Sequence, residues 1–220
     1  MAAKKVGLVL AGCGYLDGAE IHEATLTLLA LDRHGVEVIA MAPDKNQAHV
    51  ISHQSSTEVE GAPRNVLQES ARIARGNVQA LGEVSADQLD ALILPGGFGA
   101  AKNLCSFAFD GANMTVDENL SDLIGSMNAL GKPLGFICIA PVIAAKVLAE
   151  LNPTVTIGND TDTAALISTL GGKHQDCPVD DIVVDENNKL VTTPAYMLGP
   201  SIAPVSKGID KLVDKVLSYL

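Results

Sequence analysis

Short apolar runs alternate with amphipathic stretches for almost the whole length of the chain. Val6 to Leu10 reads as a first strand, and the helix predicted over Ala19 to Arg33 carries Ile21, Ala24, Leu28 and Leu29 at helical spacing, closed by Gly35. Val36 to Ala42 is a second strand. Beyond a polar stretch containing His49 and His53, Val66 to Ala74 has a helical pattern, and Ala91 to Leu94 is an apolar strand opening into Pro95-Gly96-Gly97-Phe98-Gly99. Helices are predicted around Ala100 to Leu104 and Val116 to Leu130, followed by a strand over Leu134 to Ile137 and a helix through Val142 to Leu151. A short strand at Thr154 to Ile157 precedes a helix with Asp160 as its N-cap. Asn187-Asn188 then joins Ile182-Val183-Val184 to Leu190-Val191-Thr192 as a hairpin, and a last helix is predicted from Ile209 to Leu220. This order predicts an α/β fold with a mainly parallel sheet between two layers of helices. In such sheets ligands bind beyond the carboxyl ends of the strands, so the turns at Gly12, Pro95 and Cys138 are expected to face one crevice.

Neither a linker nor an internal repeat divides the 220 residues, which read as a single domain over 1–220. Hydrophobic residues make up 47% of the chain but aromatics only 3%, with no Trp, so the core is built from Ala, Val, Ile and Leu. Acidic residues outnumber basic ones 26 to 15, and no Lys/Arg cluster is available to track a phosphate backbone or an anionic membrane. Nucleic acid is excluded as a partner on this ground, and no apolar segment approaches the roughly 20 residues of a membrane span. The four cysteines, at 13, 105, 138 and 177, lack metal-ligand spacing and read as reduced thiols, which points to a cytoplasmic protein. Leu10-Ala11-Gly12-Cys13 behind Lys4 and Lys5 looks like the lipidation box of a bacterial lipoprotein. Val6 to Ala11 is shorter than a secretory apolar region of about 7 to 15 residues, however, and is needed as the first strand.

The chemistry-bearing positions lie on the predicted turns. Cys138 ends an apolar strand two residues before a helical pattern, with Pro141 placed for the first helical turn, so its thiol sits on a strand-to-helix elbow. Free N–H groups at a helix start favour a thiolate, which predicts a reactive Cys138 of lowered pKa; the plain alternative is a buried structural cysteine. Gly96-Gly97 lets a backbone N–H approach a ligand, and together with the N–H of Ile139 it offers an oxyanion hole; the plain alternative is an ordinary strand-to-helix turn. Glu20 and Glu23 open the first helix one turn apart, either as the carboxylates a thiol needs beside it or as solvated acids satisfying the helix dipole. His22 between them is a second base or a surface imidazole, and Cys13 at the end of the first strand is a candidate to resolve an oxidised Cys138. Cys105 and Cys177 read as inert. The loop Gly12-Cys13-Gly14-Tyr15-Leu16-Asp17-Gly18 misses the dinucleotide fingerprint by one residue, and Asp17 would set a carboxylate against a pyrophosphate.

Gly18-Ala19-Glu20-Ile21-His22-Glu23, Leu94-Pro95-Gly96-Gly97-Phe98-Gly99-Ala100-Ala101-Lys102-Asn103-Leu104 and Ile137-Cys138-Ile139-Ala140-Pro141 resemble, in order and spacing, the DJ-1/PfpI superfamily. Leu10 to Gly14, Arg64 to Leu67 and Glu69 to Gly76 are similar to its ElbB branch, the isoprenoid biosynthesis glyoxalases. The resemblance implies a flavodoxin-like three-layer sandwich with a nucleophile elbow. It further implies Cys138 as nucleophile, Glu23 as the acid beside it, Gly97 and Ile139 as oxyanion-hole amides, and a homodimer. The implied activity is glutathione-independent conversion of glyoxal to glycolate or methylglyoxal to lactate, on a small dicarbonyl substrate, with no metal or organic cofactor. The competing class is a non-enzymatic redox sensor or stress-response interaction protein with an oxidisable cysteine. Two departures narrow the field. PfpI-type peptidases have a His directly after the nucleophile where this chain has Ile139, and the late His-x-Glu pair of glutaminase domains is missing because no His follows His174. The distal His of some DJ-1-like glyoxalases is absent too, with Gly158-Asn159-Asp160 in its place.

Overall fold

The computed structural model describes residues 3–220. Among the described residues eleven strands are formed: β1 Lys5–Val9, β2 Glu37–Ala42, β3 Ile51–Ser52, β4 Thr57–Glu58, β5 Gln79–Ala80, β6 Ala91–Leu94, β7 Leu134–Ile137, β8 Thr154–Val155, β9 Lys173–His174, β10 Val183–Asp185 and β11 Leu190–Thr193. The helices are α1 Ile21–Arg33, α2 Val66–Ile73, α3 Phe107–Asp110, α4 Glu118–Ala129, α5 Pro141–Val147, α6 Thr161–Thr169 and α7 Ile202–Leu217. Seven strands form one sheet in the order β10-β11-β7-β6-β1-β2-β5, parallel except for β10 against β11.

Burial explains the apolar runs. Every residue of β6 and β7 is buried, and α1 packs with α7 while α4 packs with α5, so helices cover the central strands on both faces. Gly135 marks a close approach on β7: an added Cβ would sit 2.9 Å from Leu212 Cδ2 of α7. This is the flavodoxin-like three-layer sandwich that the sequence predicts.

Chain order explains where the site forms. The chain leaves β1 for β2 on one side and later returns as β6 on the other, so the winding reverses between β1 and β6. A crevice opens at such a reversal, beyond the carboxyl ends of the strands. The turns after β1, β6 and β7 all meet there, as the sequence predicts: a Cβ on Gly96 would sit 2.5 Å from Cys138 Cβ, and one on Gly97 would sit 2.5 Å from Gly18 O.

Helix α7, the Ala100–Leu104 segment and the β3–β4 hairpin differ from their sequence expectations. Helix α7 begins at Ile202, seven residues before the predicted start, because Pro204 falls in its first turn, where no intrahelical N–H is required. Ala100–Leu104 winds as a π-helical turn. The polar stretch around His53 holds the small hairpin β3–β4, which the pattern does not reveal because two-residue strands carry no periodicity.

Candidate functional site

Cys138 occupies the turn between β7 and α5 with φ +63°, a left-handed conformation that costs a side-chain-bearing residue about 1–2 kcal/mol. It persists because neighbours fix the turn: Cys138 N donates to Thr193 O at 2.9 Å, and Ala140 N closes on Ile137 O at 3.1 Å. The thiol is buried beside the Glu23 carboxyl, both lying against Gly96.

Glu23 has no solvent exposure. The first turn of α1 brings it under the crevice, where Oε2 accepts from Gly96 N at 2.8 Å and Oε1 accepts from Tyr196 N at 3.3 Å. Glu20 is the N-cap of the same helix, its side chain accepting from Glu23 N at 2.7 Å. The pair is therefore one capping acid and one sunken acid rather than two solvated carboxylates. Burial first, and repulsion from Glu20 second, push the Glu23 carboxyl up to about 8.

The same surroundings correct the expectation of a lowered thiol pKa. Burial and the adjacent Glu23 push the Cys138 thiol well up, while the N–H groups of Gly97 and Ile139, both aimed at the sulfur, act in the opposite direction and are outweighed. The helix start contributes less than the elbow pattern implies. Pro141 has no N–H, and those of Ala140 and Val142 are already bonded to Ile137 O and Ile139 O. Burial also raises Cys13, raises Cys177 to about 11 and raises Cys105 to about 12, so none of the four thiols is shifted toward the thiolate.

Gly97 has φ +92°, where an L-residue would be strained and its Cβ would overlap the Glu20 backbone, so only glycine permits the turn that brings its amide beside Cys138. Ile139 supplies the second amide from the residue after the cysteine. His22, exposed, bonds through Nδ1 to Tyr196 OH at 2.7 Å and lies 4.0 Å from Glu20 Oε1, so it reaches the site through these two residues. Cys13 faces Glu69, Arg72, Asp17 and Arg64, a neighbourhood that shares nothing with the groups around Cys138. The structure thus brings together Cys138, Glu23, Gly97 and Ile139, places His22 at second remove, and leaves Cys13 apart.

The sequence reading missed the contribution of 193–196. Thr193 O holds the cysteine turn and Tyr196 N holds Glu23; Ala195 between them is buried with φ +45°, a second strained residue beside the site. The available signal was Pro194 directly after a strand that neighbours β7. The Gly12–Gly18 loop serves packing instead of phosphate binding. Asp17 is buried, its Oδ2 accepts from Ile51 N at 2.7 Å, and its backbone O accepts from Asn103 Nδ2 at 2.9 Å. Among the described residues, no group of three or more His, Cys, Asp or Glu side chains could hold a metal ion, and no helix is long and apolar enough to cross a membrane.

A buried cysteine–glutamate pair on an elbow at the reversal point of a parallel sheet defines a class of amidotransferase-like α/β proteins, and the comparisons specify it. No family model matches the chain. It is 47% identical over 224 residues to human glutamine amidotransferase-like class 1 domain-containing protein 3, mitochondrial, covering 98% of this chain and 83% of that protein. It is 31% identical over 206 residues to ES1 protein, mitochondrial, of Danio rerio, covering 87% and 76%. An isoprenoid biosynthesis protein with an amidotransferase-like domain from Ehrlichia chaffeensis superimposes with a TM-score of 0.90 at 38% identity, over 98% of this chain and all of that one. Schizosaccharomyces pombe DJ-1 shares the fold, with a TM-score of 0.59 at 20% identity over 98% and 91% of the two chains. The chain belongs to the glutamine amidotransferase-like class 1 family.

These relatives overturn the cytoplasmic expectation, since those from human, rat and zebrafish are all named as mitochondrial. The inference from cysteine usage was too coarse. Reduced thiols exclude an oxidising compartment but do not discriminate among reducing ones.

Proposed function

We propose that the protein is a cofactor-independent glyoxalase that converts glyoxal to glycolate, or methylglyoxal to lactate, at Cys138. The observation that carries this reading is the fully buried Glu23, held near pKa 8, beside a thiol that also neighbours the N–H groups of Gly97 and Ile139. A group poised near neutrality gives and takes a proton in successive steps, and this reaction needs both.

Near pH 7 about a tenth of the molecules carry Glu23 as carboxylate, from a pKa about one unit higher. That carboxylate accepts the thiol proton as sulfur adds to the aldehyde carbon, and the amides of Gly97 and Ile139 stabilise the developing oxyanion. Glu23 passes the thiol proton to that oxygen, which completes the hemithioacetal and restores the carboxylate. Glu23 then removes the proton from the sulfur-bearing carbon to give an enediolate and returns it to the neighbouring carbon, while the hydroxyl proton of the first carbon passes to the oxygen of the second. The former aldehyde carbon is now a thioester and the other an alcohol, so one carbon is oxidised and its neighbour reduced with no external electron carrier. Water hydrolyses the thioester and restores the thiol.

The redox-sensor reading finds no support in the thiols, because the oxidisable form is the thiolate and burial disfavours it at Cys138. The deciding experiment follows aldehyde consumption and hydroxy-acid formation together in wild type, Cys138→Ser and Glu23→Gln. Loss of product in both variants is expected. Unchanged turnover in Cys138→Ser would overturn the reading.

A further inference from the structure

Four of the chain's seven Phe and Tyr residues, Tyr15, Phe98, Phe107 and Tyr196, line a cavity that leads to Cys138. In a chain that is 3% aromatic and has no Trp, this concentration is a property of the site and not of the composition. Two of the rings stand at the mouth half open to water, Tyr15 with 48% and Phe98 with 52% of its surface exposed. They are nonetheless held in place. Phe98 N donates to Tyr15 O at 2.7 Å, and the Tyr15 ring meets His53 edge-on at 5.4 Å.

The cavity is also too large for the small dicarbonyls. Its volume is about 570 Å³, within the roughly 300–1,000 Å³ range of pockets that take drug-sized ligands. Glyoxal, with four non-hydrogen atoms, takes the space of about four waters, roughly 120 Å³ at about 30 Å³ each. Most of the cavity would stay empty around it. The lining carries two acids, Glu20 and Asp160, and no Lys, Arg or His. Lys102, over the Phe98 ring at 5.3 Å, is bonded to Leu16 O. An anionic substrate would therefore meet like charge with no counter-ion, in a protein of net charge −11.

We propose that the site takes an uncharged carbonyl compound with an apolar, ring-sized body seated among these aromatic side chains, the aldehyde being only its reacting end. This rests on the glyoxalase reading for the chemistry at Cys138, but the cavity is testable apart from turnover. Apolar surface that leaves water against half-exposed rings gains affinity, and burying one ring face gives about a tenfold effect or more.

The test has two arms. In the first, Cys138 is alkylated with iodoacetamide, N-benzyl iodoacetamide or iodoacetate, each rate being normalised to a small free thiol and the site read by peptide mass. The benzyl reagent should exceed iodoacetamide by about tenfold and iodoacetate should be slowest, and Phe98→Ala and Tyr15→Ala should each pull the benzyl preference toward one. Equal normalised rates for benzyl and parent reagents, or a preference untouched by both variants, would overturn the inference. In the second arm, phenylglyoxal should be turned over with higher kcat/KM than methylglyoxal. A benzyl preference at Cys138 without turnover of either dicarbonyl would sink the glyoxalase reading while sustaining the apolar seat. Turnover of methylglyoxal with no gain for phenylglyoxal would do the reverse.

Discussion

Replacing Glu23 with Gln removes a carboxyl that the fold keeps in its acid form near neutrality, and the consequence is a change in how stability depends on pH. The folded pKa is about 8, raised by burial and by Glu20; in the unfolded chain a Glu titrates near ~4.3. Since the folded value lies above the unfolded one, the stabilisation is complete below the unfolded pKa and is lost as pH rises through the folded one. At about 1.4 kcal/mol per unit, wild type should lose roughly 3 kcal/mol from this group between about pH 5 and about pH 8. The variant has no such titration. It carries a fixed cost instead, because both Glu23 oxygens accept backbone N–H groups, from Gly96 and Tyr196, and an amide has only one oxygen to offer. Setting its NH₂ against the second donor costs about 1–3 kcal/mol at every pH. The informative quantity is therefore the slope of the difference and not its size. Urea unfolding of both proteins under reducing conditions should show the variant gaining roughly 3 kcal/mol on wild type across that window, below the ~8.5 at which unfolded thiols ionise. A difference that stays flat within about 1 kcal/mol would refute the raised carboxyl and, with it, the proton-shuttle argument.

Four further outcomes follow from the same geometry. With the nucleophile formed through the Glu23 carboxylate, kcat/KM for aldehyde should rise about tenfold per pH unit below about 8 and level off above it; a pH-independent profile would remove Glu23 as the base. Alkylation of Cys138 should likewise accelerate with pH, whereas a fast reaction at mildly acidic pH would restore the low-pKa thiolate that burial argues against. Gly96→Ala puts a Cβ 2.5 Å from Cys138 Cβ and 2.9 Å from Glu23 Oε2, so activity should vanish and thermal unfolding should report a loss of about 1–3 kcal/mol. For association we expect a homodimer, with exposed apolar residues such as Ile21 and Leu29 on α1 available to a symmetric contact; sedimentation at micromolar concentration yielding only a 22.8 kDa species would exclude it.

The central strands were legible because each is buried on both faces and so carries an unbroken apolar run: Ala91–Leu94 and Leu134–Ile137 have the predicted bounds in the structure. The edges were not. Gln79–Ala80 pairs with only two residues of β2, and Lys173–His174 forms a two-residue ladder with β8, so their place is set by neighbours rather than by a pattern of their own. Helix α7 shows the opposite error: the predicted start at Ile209 leaves Pro204 outside the helix, yet the first turn of a helix does not use the N–H that Pro lacks.

At the site, residue identity was easier to read than electrostatics. Cys138, Glu23, Gly97 and Ile139 sit on turns that strand order alone brings together, so their convergence follows from topology. The sign of the Cys138 shift depends on quantities that no spacing encodes: how completely the thiol is buried, which helix-start N–H groups are already bonded, and whether Glu23 turns inward. The helix pattern permits either direction for Glu23, since a first-turn acid commonly faces water. What turns it inward is a pair of backbone donors, Gly96 N from the β6 turn and Tyr196 N from the strained segment after β11. The donor at 196 lies 173 residues from the acid it holds. The two segments meet only when the sheet is assembled around β11 with α1 docked on it, so the raised pKa of Glu23 is a product of the assembled fold and is absent from any local stretch of the chain.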